Sequence, residues 1–171
     1  TVPMVLAIGN HEVQGGYDGG VEGPPFYFGY FAQAGESSYF ARRFGAELAV
    51  LVLDSGHAVE HGGAQAAWLE QQLARYRDLP YRFAIYHVPL YPGYRDFHYE
   101  YSAAGRAHWL PLFDRFKLVT AFENHDHLLK RTKLLRGGQE DAGGTLYLGD
   151  GCLGKKPRAV WSWVVRWLFT S

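Results

Sequence analysis

The stretch LVTAFENHDH, residues 118–127, runs an apolar segment directly into a carboxylate, an amide and two histidines around an aspartate. Leu118–Phe122, β-branched and aromatic, reads as a buried strand. Ligand-type residues at a strand exit read as a site on one edge of a sheet. The same figure occurs twice more. RFAIYHVP (82–89) gives a strand Arg82–Tyr86 followed by His87, and VLAIGNHE (5–12) gives a strand Val2–Ile8 followed by Gly9, Asn10, His11 and Glu12. In an α/β sheet such exits gather on one edge, so residues far apart in the chain meet around one point. On an extended segment His125 and His127 project from the same face, as i and i+2 do. Imidazole and amide donors suit a borderline divalent or trivalent transition metal.

The segments between these exits alternate strand and helix. Gly15–Pro25 is a Gly-rich loop, and Tyr39–Phe44 with Leu48–Leu53 form a strand pair. In AQAAWLEQQLARYR (64–77), Ala66, Leu69, Leu73 and Tyr76 recur at helical spacing and leave Glu70, Gln71 and Arg75 for solvent. Ser102–Phe116 reads as a helix kinked or restarted at Pro111. Leu128–Leu135 and Thr145–Leu148 read as hairpin-like strands. The order predicts an α/β layered core, a β-sheet sandwich flanked by helices, in one domain over residues 1–171 without repeats.

Bulk properties limit the functional classes. The chain has 171 residues, 47% of them hydrophobic, which suffices for a core of ordinary domain size. Lys+Arg and Asp+Glu both number 17, so no net field points to nucleic acid, although KKPR at 155–158 is a small basic spot. Cys152 is the single cysteine, which excludes an internal disulfide framework and leaves the compartment open. AVWSWVVRWLF (159–169) falls short of the roughly 20 apolar residues of a spanning helix and contains Arg166, so no transmembrane segment is expected. Both ends read as cut: TVPMVLAIG starts at once as an apolar run, and WSWVVRWLFTS stops inside one.

Taken together, the motifs resemble the calcineurin-like metallophosphoesterases, and within them the purple acid phosphatase branch. GNHE (9–12) matches that family's Gly-Asn-His-Glu block, YHVPLY (86–91) is similar to its His-x-Pro block, and NHDHLLKRT (124–132) to its Gly-His-x-His block. LYLGDG (146–151), VLDS (52–55) and the AWLEQQL helix also fall where the family has similar elements. Two departures stand out. Asn124 occupies the place of the Gly before the H-x-H pair, where a tight backbone favours glycine. The family's Asp-x-His block, its Gly-Asp block with the metal-bridging Asp, and its Fe(III)-binding Tyr would all precede residue 1.

The resemblance implies a fold incomplete at its N-terminus and a set of site roles. Asn10, His87 and His125 would ligate one metal and His127 the other, with two divalent or trivalent ions (Fe, Zn or Mn) as cofactors. His11 would face the phosphate. His98, in the loop after His87, resembles the family's proton donor and reads equally as an exposed loop histidine. Two cations about 3.5–4 Å apart can clamp a phosphoryl oxygen and activate water for in-line attack, and an imidazole can stabilise the charge or protonate the leaving alkoxide. The substrate would be a small phosphate ester, monoester or diester, and the compartment secreted or periplasmic. With half of the ligands upstream, residues 1–171 alone are expected to be inactive. The alternative is a silent member of the fold that acts as a binding module, in which the upstream bridging Asp would be replaced.

Other polar residues carry plainer readings. His57, His61 and His108 stand in no matching block and read as structural or solvent-facing. Asp54 and Asp150 read as turn residues bonding backbone, and Glu12 and Asp126 as partners orienting the ligating imidazoles. Tyr91, Tyr94 and Phe97 read either as walls of the substrate entrance or as packing against the sheet edge.

Overall fold

A computed structural model describes residues 4–19, 24–31, 37–150 and 152–160. The short helix α1 (Pro25–Tyr30) follows the Gly-rich loop, and β1 (Phe40–Phe44) and β2 (Leu48–Val52) form the expected antiparallel pair. α2 (Gly63–Arg75) leads to β3 (Tyr81–Tyr86); α3 (Glu100–His108) and α4 (Leu110–Phe116) lead to β4 (Thr120–Glu123). β5 (Leu129–Arg136), β6 (Gln139–Glu140) and β7 (Thr145–Asp150) follow. The sheet order is β1-β2-β3-β4-β7-β5-β6, with β2, β3, β4 and β7 parallel and the outer strands antiparallel. The α/β layered class is what the residues form, and among the described residues the strands make one seven-stranded sheet with flanking helices.

Both faces of the central strands are covered, which is why β2 is a continuous apolar run rather than an alternating one. Leu51, Ala84, Tyr86 and Ala121 pack against Leu69, Leu73, Trp109 and Phe113 of the helical layer. On the opposite face Phe40, Val50 and Val52 meet Val5 and Ala7. Residues 4–8 therefore differ from the expected strand: they lie over the sheet through Val5 and Ala7 and form no ladder, while the Leu6 carbonyl accepts the Tyr27 hydroxyl at 2.9 Å. Side-chain alternation survives without strand pairing, so a two-residue period alone could not separate the two outcomes. Residues 1–3 and 161–171, including most of the terminal apolar run, lie outside the described residues.

α2 buries Leu69 and Leu73 as expected, with Gln65 in place of Ala66 at the start of the stripe. Gln65, Leu69 and Leu73 are buried, while Ala66 and Tyr76 are only partly so. Gln65 goes inward because its amide serves backbone: Oε1 accepts Asp54 N–H at 2.8 Å, and Nε2 donates to the Asp54 and Glu60 carbonyls at 3.0 and 2.7 Å. The single helix expected over 102–116 is two helices. The break falls between His108 and Leu110, with Pro111 in the first turn of α4, where its missing N–H costs nothing.

Candidate active site

β3 and β4 are parallel neighbours with Tyr86 opposite Glu123, so both strands end at the same level. His87 and Asn124 leave the sheet side by side, joined by Asn124 N–H to the His87 carbonyl at 3.0 Å. Beyond them the chain turns sharply: His125 and His127 have φ of 64° and 52°. The H-x-H pair is thus not extended, and its rings are aimed by two left-handed residues instead of by strand alternation. Asn124 does not take up the left-handed conformation expected of it; its amide donates to the Tyr86 carbonyl at 3.0 Å, and its own carbonyl accepts Asp126 N–H at 2.7 Å.

Three of the expected ligands converge. His87 Nε2 is 2.9 Å from Asn10 Oδ1 and 2.9 Å from His125 Nδ1. Gly9 makes room for this, since a Cβ there would stand 2.8 Å from His87 Nδ1. A neutral ring nitrogen carries one proton or one lone pair, so His87 Nε2 can serve only one of its two partners in either tautomer. A cation shared by the three atoms serves all of them. Two donors at ~2.1 Å from one ion, at right angles, stand ~3 Å apart, which is the separation the side chains hold. The donor set therefore fits a transition metal, with the third donor an amide. Among the described residues no group of three or more His, Cys, Asp or Glu could hold a metal ion. His127 lines the same cavity of about 490 Å³ with Glu12, His87, Asn124 and His125.

His11 is exposed and near enough to His87 and His127 to lower the proton affinity of both. His98 is exposed; its backbone N–H bonds Asp96 Oδ1 at 2.6 Å and its ring lies edge-on to Phe97, and no described contact joins it to the converging side chains. Glu12 and Asp126 do not orient imidazoles. Glu12 Oε2 accepts Gly9 N–H at 2.8 Å, while Asp126 Oδ2 accepts the N–H groups of Gly93 and Tyr94 at 2.8 and 3.1 Å. Both carboxylates hold loops in place. Asp126 also pairs with Arg95 at 3.4 Å, which fixes a cation beside the histidines.

Tyr17 and His57 were not among the expected site residues. The Tyr17 hydroxyl is 3.2 Å from His125 Nε2, and its ring stacks on His57 and Tyr101 at 4.7 and 4.0 Å. In the tautomer that donates Nε2–H to Tyr17, the free lone pair of His125 is on Nδ1, facing His87 Nε2. His57 is fully buried and lies edge-on to His87 at 5.3 Å. Its Nδ1–H donates to the Gly16 carbonyl at 2.8 Å, and Nε2 takes the Ser55 hydroxyl at 3.2 Å. Asp54 accepts the N–H groups of His57, Ala58 and Val59 at 2.7–3.1 Å, the turn role read for it. Tyr17 sits alone in a Gly-rich loop, so only spacing-independent loop packing brings it to His125, and no sequence signal marks it. Tyr91 belongs to the core against Tyr147.

Burial first, then the neighbouring His125, His57 and His11 and Arg95, push the His87 pKa down to about 2. Burial and then Arg95 bring His125 to about 3. His127 is also lowered, by burial and then by Arg158, Lys155 and Arg95. The imidazoles are thus neutral, lone pairs available, with a cationic rim that favours an anion.

No protein-family model and no curated protein matches the chain. Among solved structures, the purple acid phosphatase PPD1 from yellow lupin (Lupinus luteus) seeds aligns with TM-score 0.57 and 17% identity, over 68% of this chain and 23% of its own. PhoD aligns with TM-score 0.52 and 10% identity, over 66% of this chain and 28% of its own. The chain has the metallophosphoesterase fold. It spans about a quarter of the length of these two proteins. In this metallophosphoesterase fold the converging side chains sit where β3 and β4 end together, the edge at which ligands bind in open α/β sheets.

Proposed function

We propose that the chain is part of a metal-dependent phosphoric ester hydrolase of purple acid phosphatase type. The observation that carries this reading is the approach of Asn10 Oδ1 and His125 Nδ1 to His87 Nε2, with Arg95 held nearby by Asp126. In it, Asn10 Oδ1, His87 Nε2 and His125 Nδ1 hold one ion and His127 contributes to a second, the pair being Fe, Zn or Mn. When bound, the ions supply charge neutralisation of the phosphoryl oxygens and activation of water.

The chain's own residues do the rest. Arg95, held by Asp126, and Arg158, whose N–H bonds the His127 carbonyl at 2.8 Å, draw the phosphate to the cavity mouth. His11 faces the phosphoryl oxygens, where an imidazolium offsets charge that develops in the transition state. His98 protonates the leaving alkoxide; in sequence it stands between Arg95, whose charge lowers the His125 pKa, and Tyr99, whose ring centroid is 6.5 Å from that of His125. The second reading, a silent binding module, is favoured by the lack of a three-residue His/Cys/Asp/Glu cluster among the described residues.

Metal content and ester hydrolysis separate the two. In the complete enzyme, Asn10→Ala and His125→Ala lose metal and activity together. His98→Ala keeps the metal and slows alkyl phosphates by roughly 100-fold while sparing p-nitrophenyl phosphate, whose leaving group needs no proton. Folded, metal-free protein with no turnover, from a longer chain in which the upstream bridging Asp is replaced, favours the binding module instead.

A further inference from the structure

The loop that joins β3 to α3, residues 87–99, carries Arg95 and His98, and its two halves are held in different ways. The first half is moored from the sheet side. Glu123 Oε1 takes Leu90 N–H at 2.7 Å, Lys130 donates to the Tyr91 carbonyl, and Asp126 Oδ2 takes the N–H groups of Gly93 and Tyr94. His98 stands in the second half, exposed, with its N–H on Asp96 of the same loop. An exposed imidazole meets a leaving group at a fixed place only where the backbone beneath it is fixed, and a misplacement of about 1 Å can cost about 100-fold in rate.

Arg106 of α3 supplies that restraint. Its Nη1 donates to the Leu90 carbonyl at 2.5 Å and its Nη2 to the Phe97 carbonyl, so one planar cation joins the two halves of the loop by charge-assisted bonds. The guanidinium also lies over the Phe97 ring at 3.7 Å, and that ring meets the His98 ring edge-on at 5.4 Å. Both the peptide that leads into His98 and the ring beside it are therefore held from α3. The helix comes close enough because Gly105 is buried against the loop: a Cβ there would stand 2.9 Å from Leu90 Cδ1. A lysine ammonium, a compact point charge, has no planar fork with which to bond two carbonyls while covering a ring. Arg106 is half-buried and does not line the histidine cavity.

We propose that Arg106 is a positioning residue for ester cleavage: from α3 it ties the 90–98 loop so that the His98 imidazole stands where the leaving oxygen takes its proton. The task given to His98 rests on the phosphoesterase reading above; the restraint of the loop does not.

Hydrogen exchange and a double-variant cycle on the complete enzyme test this. Arg106→Gln should keep its metal and its circular dichroism, and should raise amide exchange over residues 90–99 by about tenfold or more. It should also slow alkyl phosphates by about tenfold or more relative to p-nitrophenyl phosphate, whose leaving group needs no proton. Arg106→Gln added to His98→Ala should cost alkyl phosphates less than about twofold further, because the group it positions is already gone. Should Arg106→Gln fail to fold, Phe97→Leu removes the ring under the guanidinium and should show the same signature at about threefold or more. A multiplicative loss in the double variant, or loop exchange unchanged in both single variants, overturns the positioning role. If His98→Ala slows alkyl and p-nitrophenyl phosphates equally, the proton-donor reading falls and the catalytic purpose of the restraint falls with it. Raised loop exchange in Arg106→Gln would then still show Arg106 to be the tie of the loop.

Discussion

Gly9 and Tyr17 show how single residues prepare the site without touching substrate. A methyl group at Gly9 would stand 2.8 Å from His87 Nδ1, backed by Glu12 Oε2 at 3.0 Å, so the imidazole has to move. Gly9→Ala should therefore weaken metal binding by about tenfold or more, on the scale of disturbed ligand support, while circular dichroism shows a retained fold. Tyr17→Phe removes the hydroxyl that stands 3.2 Å from His125 Nε2, and with it the hydrogen bond that restricts the tautomer of the imidazole. Outer hydrogen-bond partners of this kind are worth about 10–100-fold in metal affinity. Unchanged zinc affinity in the Phe variant, read by competition with a chromophoric chelator, would remove Tyr17 from this role.

Between elements, one buried group does most of the tying. Glu123 ends β4 and accepts the Tyr86 hydroxyl at 2.8 Å and Leu90 N–H at 2.7 Å, and its other oxygen pairs with Lys130 of β5 at 2.5 Å. Lys130 also donates to the Tyr91 carbonyl. The pair is essentially inaccessible, with side-chain exposures of 1% and 0%. Removing one partner strands a buried charge, so Lys130→Met should cost about 3–5 kcal/mol in urea unfolding. Lys130→Met with Glu123→Gln should recover part of that loss, because the uncompensated carboxylate is gone. A double variant no more stable than Lys130→Met would assign the loss to packing.

For the whole molecule, buried neutral histidines set the acid limit. Burial lowers the His61 pKa to about 4 against an ordinary value of 6.5. Between these values the unfolded chain binds a proton that the native state refuses, so stability falls as pH drops from about 6.5 to about 4. His61 alone accounts for a loss on the order of 3 kcal/mol; His87 and His125, lowered to about 2 and about 3, add to it. His61→Gln should flatten the decline of urea stability across that window. A slope unchanged from that of the parent would exclude His61 from it. At the same scale, residues 1–171 by themselves should bind at most one equivalent of zinc and show no turnover of p-nitrophenyl phosphate. Asn10, His87 and His125 suffice for one ion, while His127 alone cannot outcompete water for another. Two equivalents bound with turnover would mean that other residues complete the centre.

By itself the sequence determined the α/β order, the strand ends that carry His87 and His125, and the resemblance that gathers them with Asn10. These follow from local periodicity and short-range motifs, which are properties of contiguous residues. The tertiary structure alone decided that residues 4–8 lie over the sheet instead of joining it, and that His125 and His127 are aimed by left-handed backbone. It also decided that Glu12 and Asp126 bond loops, and that Tyr17 reaches His125 across 108 positions. The physical reason is the same in each case. A polar side chain takes whichever unpaired group the packed fold brings within hydrogen-bond reach, and sequence separation carries no information about which group that is.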